Sequence, residues 1–205
     1  MSIRTATLSA VAACFVMAST AAVAQTGSQT PPDGPTVRAA PATSPDTSMP
    51  SSKGSRSNLQ KTDTAFLENA AQGGFAEVEA GKMAQTKASN AEVKAFGQML
   101  IDEHTKVNQE LATLASSKGY TPPTEPSVVQ RTELRALGVL DGDNFDKMFM
   151  RRIGVASHEA TIKQFREASR SARDPQVKAF AAKTLPSLEH HLKMAKTLQT
   201  KLGKD

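Results

Sequence analysis

The sequence has no tryptophan, one tyrosine and one cysteine, and that cysteine, Cys14, stands within the first 24 residues. Beyond that segment a thiol nucleophile, a CxxC redox pair and a cysteine-ligated zinc are all excluded. A fold built there rests on its apolar core, for which about 140 residues are ample. No apolar run of ~20 residues follows residue 24, so the later chain offers no retained membrane span. The scarcity of aromatics also argues against nucleic acid as a partner. Tyr120 stands alone beside eight phenylalanines, and nothing interleaves basic with aromatic side chains, although the formal charge is +5. Residues 61–118 carry 6 basic and 8 acidic groups and residues 119–205 carry 15 and 10. This asymmetry suits two halves that dock on each other better than a polyanion-binding surface.

What is present begins with a secretory pattern. Arg4 supplies a positive start, Ala6 to Val23 an apolar run, and Ala22-Val23-Ala24 a small-residue cleavage site before Gln25. Residues 1–24 therefore read as a signal peptide and the protein as exported, to the periplasm or in association with the outer membrane. Val11-Ala12-Ala13-Cys14 also has the form of a lipobox, which would make Cys14 a lipid anchor. The apolar continuation from Phe15 to Ala24 favours the first reading, because a lipoprotein normally turns polar there. Residues 25–60 hold six of the eleven prolines and few large apolar side chains. Such a stretch cannot bury enough surface to offset its ordering entropy and is expected to be a disordered tether.

From residue 61 to residue 203 the texture becomes helical. A first helix is predicted over about 63–88, with Phe66, Leu67, Ala70, Ala71, Gly74 and Val78 on one face. A second runs from an Asn90 cap to Gly119 and carries Val93, Phe96, Leu100, Val107, Leu111 and Leu114 in one stripe. Three prolines between Tyr120 and Pro126 break the pattern, and Val128 to Leu140 forms a short helix inside a crossover. A third helix over about 143–172 repeats Met148, Val155, Ile162 and Ser169 every seven residues, interleaved with His158, Phe165 and Ala172. The fourth opens on Asp174-Pro175, a capping carboxylate followed by proline in the first turn, and stops at Gly203. Two helical hairpins joined by a crossover make an all-α four-helix bundle. Val93-Lys-Ala-Phe96 recurs as Val177-Lys-Ala-Phe180, a hint of duplication. Gly73, Gly74 and Gly81 follow no strand, so close helix packing explains them better than phosphate binding.

The candidate chemistry lies in the histidines. At ~100° per residue, His104 falls among Leu100, Val107 and Leu111, His158 among Val155, Ile162 and Phe165, and His191 among Leu188, Ala195 and Leu198; His190 points outward. Counted from their turns at ~1.5 Å per residue, the three inward histidines lie about 21–26 Å deep. If both inter-helix turns sit at one end, the three imidazoles share a layer. The first helix should reach that layer near Gly73-Gly74, with Glu77 one turn nearer the turn and at the edge of the inward face. Three imidazoles and a carboxylate suit a divalent transition metal. Core histidines satisfied by each other, by Asn108 or by Glu103 and Glu159 are the plain alternative. Ser157-His158-Glu159 point apart on a helix and form no nucleophile triad. The methionines Met83, Met99, Met148, Met150 and Met194 read as core filler. Arg151-Arg152 with Arg166, Arg170 and Arg173 form a solvated face, whose natural counterpart would be an anionic envelope surface or cell-wall polymer.

Phe66-Leu67, the run Gly73-Gly74-Phe75-Ala76-Glu77-Val78-Glu79, Phe96 to His104 followed by Asn108 and Leu111, Phe145-Asp146, His158, and Leu185-Pro186 with Leu188 to Leu192 appear in order. In these blocks the sequence resembles the bacterial family known as domain of unknown function 4142, across about residues 63–202. The resemblance implies a ferritin-like fold and an envelope location, and brings no established activity. True di-iron ferritins carry Glu-x-x-His on two helices. Here Ile101 and Leu188 stand three residues before His104 and His191, so ferroxidase chemistry does not follow from the resemblance. The leading expectation is an exported, non-catalytic envelope protein serving a structural, stress or interaction role. The alternative is a metal-binding or metal-dependent redox protein that uses the histidine layer. Mass spectrometry of the exported protein should find a mature N-terminus at Gln25; a diacylated Cys14 would replace the cleaved form with a lipoprotein.

Overall fold

The structure, a computed structural model, describes residues 58–203. The signal peptide, the lipobox and nearly all of the expected tether lie outside the described residues. What is described is helical from end to end: α1 Lys61–Lys87, α2 Ala91–Ser117, α3 Val128–Gly138, α4 Gly142–Phe149, a π-helix Met150–Ser157, α5 His158–Ser171 and α6 Pro175–Leu202. Among the described residues no helix is long and apolar enough to cross a membrane. The all-α bundle expected from periodicity is thus the fold.

Local chemistry sets the boundaries. The Asn90 side chain accepts the backbone N–H of Glu92 at 2.8 Å and of Val93 at 3.3 Å, satisfying donors that an α-helix leaves free at its start. Asp174 does the same for Gln176 and Val177, with Pro175 in the first turn where no N–H is needed. Ser127 and Gln130 close a reciprocal capping box at the head of α3. After α2 the chain turns at Gly119, whose φ of 71° is the left-handed conformation glycine adopts without penalty.

The topology is read from contacts at the ends. The backbone N–H groups of Ser89 and Asn90, in the α1–α2 turn, donate to Asp146 near the start of α4. Lys201, at the end of α6, pairs with Glu92 at the start of α2. The N–H groups of Arg173 and Asp174, in the α5–α6 turn, donate instead to Asp63 at the start of α1, and Lys118 beyond α2 reaches Asp174. The two inter-helix turns therefore lie at opposite ends of the bundle. Helix α1 runs up, α2 down, the crossover with α3 returns to the top, α4 through α5 runs down, and α6 runs up. The condition attached to a shared histidine layer, both turns at one end, is therefore not met.

The third long helix is also more than the sequence showed. It is interrupted by two turns of π-helix, and the wider winding moves the inward face. Phe145 and Phe149 are buried before it, Met150 and Ile153 within it, His158, Ile162, Phe165 and Ala168 after it, while Met148, Val155 and Ser169 of the expected heptad are only half-buried. Such segments are rare and concentrate at functional sites. Helices α1 and α2 approach most closely at Gly81 and Gly97, where a Cβ on Gly81 would stand 2.6 Å from the Gly97 carbonyl oxygen. Small residues there let the backbones meet. Two apolar clusters fill the bundle. The upper contains Val93, Phe96, Leu100, Phe145, Phe149 and Leu198, and the lower contains Phe66, Leu67, Leu111, Phe165, Phe180 and Leu188. The five methionines flagged as filler gather in or against the upper cluster.

Asp63 and Asp146 are buried, and each clamps a turn between two other helices. Asp146 accepts the N–H of Ser89 at 3.2 Å and of Asn90 at 2.8 Å, and the Ser89 hydroxyl at 2.6 Å. Asp146→Ala removes a buried charged acceptor that takes three hydrogen bonds from a partly exposed turn, and is expected to lower stability by about 3 kcal/mol in urea denaturation. Asp174→Ala, which removes a partly exposed cap, should cost about 1 kcal/mol. Equal losses in the two variants would mean that Asp146 is only another cap.

Candidate metal centre

Between the two apolar clusters lies one polar layer. It contains Glu77 from α1, His104 from α2, His158 at the start of α5 and His191 from α6, each at most 3% exposed. The sequence expectation that three histidines share a depth holds, although the turns from which depth was counted lie at opposite ends. The reason is symmetry: His104 stands at the middle of α2, so its height is the same measured from either end. Glu77 belongs to the layer itself and not to its edge. The space left by Gly74 is filled one turn away by Asn108, whose Oδ1 a Cβ on Gly74 would strike.

The three imidazoles face one another. Ring centroids are 5.8 Å apart for His104 and His158, 5.5 Å for His104 and His191, and 5.4 Å for His158 and His191. One nitrogen from each ring can be chosen so that all three lie within 4.8 Å of one another. Glu77 Oε2 stands 3.1 Å from His104 Nε2, and Glu77 Oε1 stands 3.5 Å from His158 Nδ1 and accepts the Ser157 hydroxyl at 2.9 Å. The π-helix brings Ser157 and His158 into this position. It also presents the Ile153 carbonyl, five residues back, to His158 Nδ1 at 2.9 Å.

These outer contacts assign the tautomers. A carbonyl only accepts, so His158 carries its proton on Nδ1 and donates it to Ile153. His191 Nε2 stands 2.9 Å from Glu103 Oε2, an oxygen that also accepts the Ser187 hydroxyl at 2.5 Å, so His191 donates through Nε2. In their neutral forms the remaining nitrogens, His158 Nε2 and His191 Nδ1, are both lone pairs, and they face each other at 3.3 Å. His104 Nε2 is buried and, despite its 3.1 Å approach to Glu77, makes no hydrogen bond, because the direction is wrong. His158 and His191 thus turn their protons outward and their lone pairs inward. Metal-ligating histidines have this arrangement, with the second ring nitrogen held by a carbonyl or carboxylate.

Electrostatics point the same way. Burial, reinforced by neighbouring His104 and His158, pushes the pKa of His191 down to about 4, against the opposing pull of Glu103. Burial likewise holds His104 below the ordinary histidine range, though Glu77 opposes it. For Glu77 burial alone would raise the pKa; His104, His158, the Ser157 hydroxyl and His191 outweigh it and keep the carboxyl below its usual range. An ionised Glu77 in this core needs a positive charge beside it, which a ring proton on a neighbouring histidine or a bound cation would supply.

The remaining expected groups lie elsewhere. His190 is exposed, and Glu159 pairs with Lys196 at 2.7 Å and not with a histidine. Asn108 supports no histidine: both of its side-chain polar atoms are buried without a partner. In the arginine face, Arg152 and Arg166 are paired with Glu133 and Glu189. Ser157, Ser187 and the Ile153 carbonyl were not singled out as site groups by the sequence. Ser187 had a faint signal, standing one helical turn before His191.

Solved structures share this fold. A DUF305 protein from Streptomyces coelicolor, described as secreted, is 13% identical with a TM-score of 0.60, covering 69% of this chain and 92% of its own. CopM in its Cu(II)-bound form is 18% identical with a TM-score of 0.59, covering 70% and 99%. No protein of curated function matches the sequence. The sequence model of the family described as "Domain of unknown function (DUF4142)" matches residues 48–198, and the chain belongs to that family.

Proposed function

We propose that this domain binds one transition-metal cation in the layer formed by Glu77, His104, His158 and His191, as part of an exported envelope protein. The observation that carries the reading is the pair of inward lone pairs, His158 Nε2 and His191 Nδ1, facing each other at 3.3 Å. Two neutral acceptors repel at that distance, and burial disfavours the ring proton that would bridge them. A cation relieves both problems. Nitrogens bound to a tetrahedral metal at 2.0–2.1 Å stand about 3.3 Å apart, so this pair is already spaced for binding. The widest separation in the triad is 4.8 Å, and closing it asks for a side-chain movement of roughly 1–1.5 Å.

Three imidazoles and a carboxylate favour borderline cations such as copper(II) or zinc(II) over magnesium or calcium. The similarity of fold to a protein solved in a Cu(II)-bound form makes copper(II) the first ion to test. A bound metal would supply Lewis acidity or, with copper, one-electron chemistry; the chain supplies the neutral imidazoles and the exclusion of water. The leader-like N-terminus supports export, and the arginine face an encounter with anionic envelope polymers. A core of histidines without metal, in a purely structural role, is the competing reading.

Protein purified without an affinity tag should hold about one equivalent of metal per chain by elemental analysis, or take up one on titration with copper(II). Free metal at a hundred times Kd should stabilise the fold by about 2.7 kcal/mol. His104→Ala should abolish both effects while remaining helical. A metal-free wild type whose unfolding does not respond to copper(II) or zinc(II) would leave the structural reading in place.

The metal-free protein should also be acid-sensitive in a defined window. The folded pKa of His191 is about 4 against an ordinary 6.5, so between those values the unfolded chain binds more protons. Stability should therefore be full above about pH 6.5 and fall as pH drops toward 4. In His191→Gln that slope should flatten, as read from urea midpoints across the pH range.

A further inference from the structure

A cavity of about 290 Å³ lies between α1, α3, the π-helix and α5. Its floor is formed by Glu77 and Ser157, and none of the three histidines lines it. Its walls carry side-chain oxygens from Asn69, Thr161 and Gln164, with Gln130 turning its Nε2 toward Gly73 and Glu133 standing toward the outside. Glu133 is about half exposed and pairs with Arg152, another lining residue, at 3.0 Å. The α3 wall is held in place, because Gln130 is fixed by its capping bond to the Ser127 N–H at 2.8 Å.

We propose that this cleft is the access path by which a cation reaches the histidine layer, with Glu77 as the ligand that receives it and passes it inward. The inference rests on the metal reading above and adds to it a route and a role for Glu77 distinct from that of the imidazoles. The histidines are closed off by two apolar clusters above and below, across which a hydrated ion would lose its water without replacement. Through the cleft, carbonyl, hydroxyl and carboxylate oxygens replace that water stepwise. Glu77 stands at the junction: one of its oxygens meets Ser157 at the cavity floor and the other meets His104 inside the layer. Arg152 neutralises Glu133 at the mouth, so the strongest negative group an entering ion meets is the buried one.

Gly73 provides the test. It lines the cavity, and a Cβ added there would come no nearer than 3.9 Å to any atom of another segment, the closest being Gln130 Nε2. Gly73→Leu therefore places its Cβ without a clash and its branched end in the cleft, and Ala160→Leu plugs it from the α5 wall. Thr113→Leu, in a groove formed by α2 and Gln176, is the control. Full-length wild type and variants, each shown to be helical, are mixed with copper(II) buffered by glycine. Loading, and removal by a strong chelator, are followed by visible absorption. Both plugged variants should hold one equivalent at unchanged affinity but load and unload more slowly by roughly tenfold or more, with the control at the wild-type rate. Wild-type rates in both plugged variants would overturn the path and leave the histidine site standing. Loss of the equivalent in a folded plugged variant would also overturn it, since the plug would then act on the site and not on the route. A wild type that holds no copper would overturn the metal reading and the path together.

Discussion

Glu77 is a buried carboxylate on the floor of a narrow cleft, and its need for compensation organises the middle of the bundle. Around it stand two imidazoles and a serine hydroxyl, each delivered by a different constraint. His104 comes from the middle of α2, while Ser157 and His158 come from a segment wound as π-helix. A buried charge left alone would destabilise the fold by several kcal/mol, so such groups persist in a core only when they are paired or bind a cation. The apolar clusters above and below supply the stability against which that cost is set. They also remove the alternative of solvation, which makes the direction of each ring proton decisive.

Asp63 and Asp146 apply the same logic at the two ends. Each sits near the start of one helix and accepts backbone N–H groups from a turn joining two others. Charged acceptors make short, strong bonds to backbone N–H groups, and here they lock the turns against the rest of the bundle. The result is a rod with polar clamps at top and bottom and a polar layer at mid-height, separated by two apolar segments. That spacing keeps the histidine layer rigid, because the helices carrying it are fixed on both sides. A metal site needs this kind of support, since ligands left to wander lose affinity.

Much of this architecture was legible because it depends on local rules. Asn90, Asp174-Pro175 and the Ser127–Gln130 pair mark helix starts through hydrogen bonds made within a few residues. The 3.6-residue stripe separated His104, His158 and His191, which face the core, from His190, which does not. The π-helix was not legible. Its signal is a shift of the buried face from Met148 and Val155 to Phe149 and Ile153, and both sets are apolar enough to pass for a heptad. Nor was the placing of the turns at opposite ends, because helix lengths and loop lengths permit either arrangement.

By itself the sequence determined that the chain is helical from residue 61, that the bundle carries no thiol chemistry, and that three imidazoles turn inward. These follow from composition and periodicity, which are properties of neighbours along the chain. The tertiary structure alone decided that the three share one height, that Glu103 and not Asn108 or Glu159 holds a ring proton, that the Ile153 carbonyl takes another, and that two lone pairs are left facing each other. These depend on which helices pack together and on an angle of winding. A shift of one residue, invisible in a hydrophobic pattern, is enough to change which groups a histidine meets.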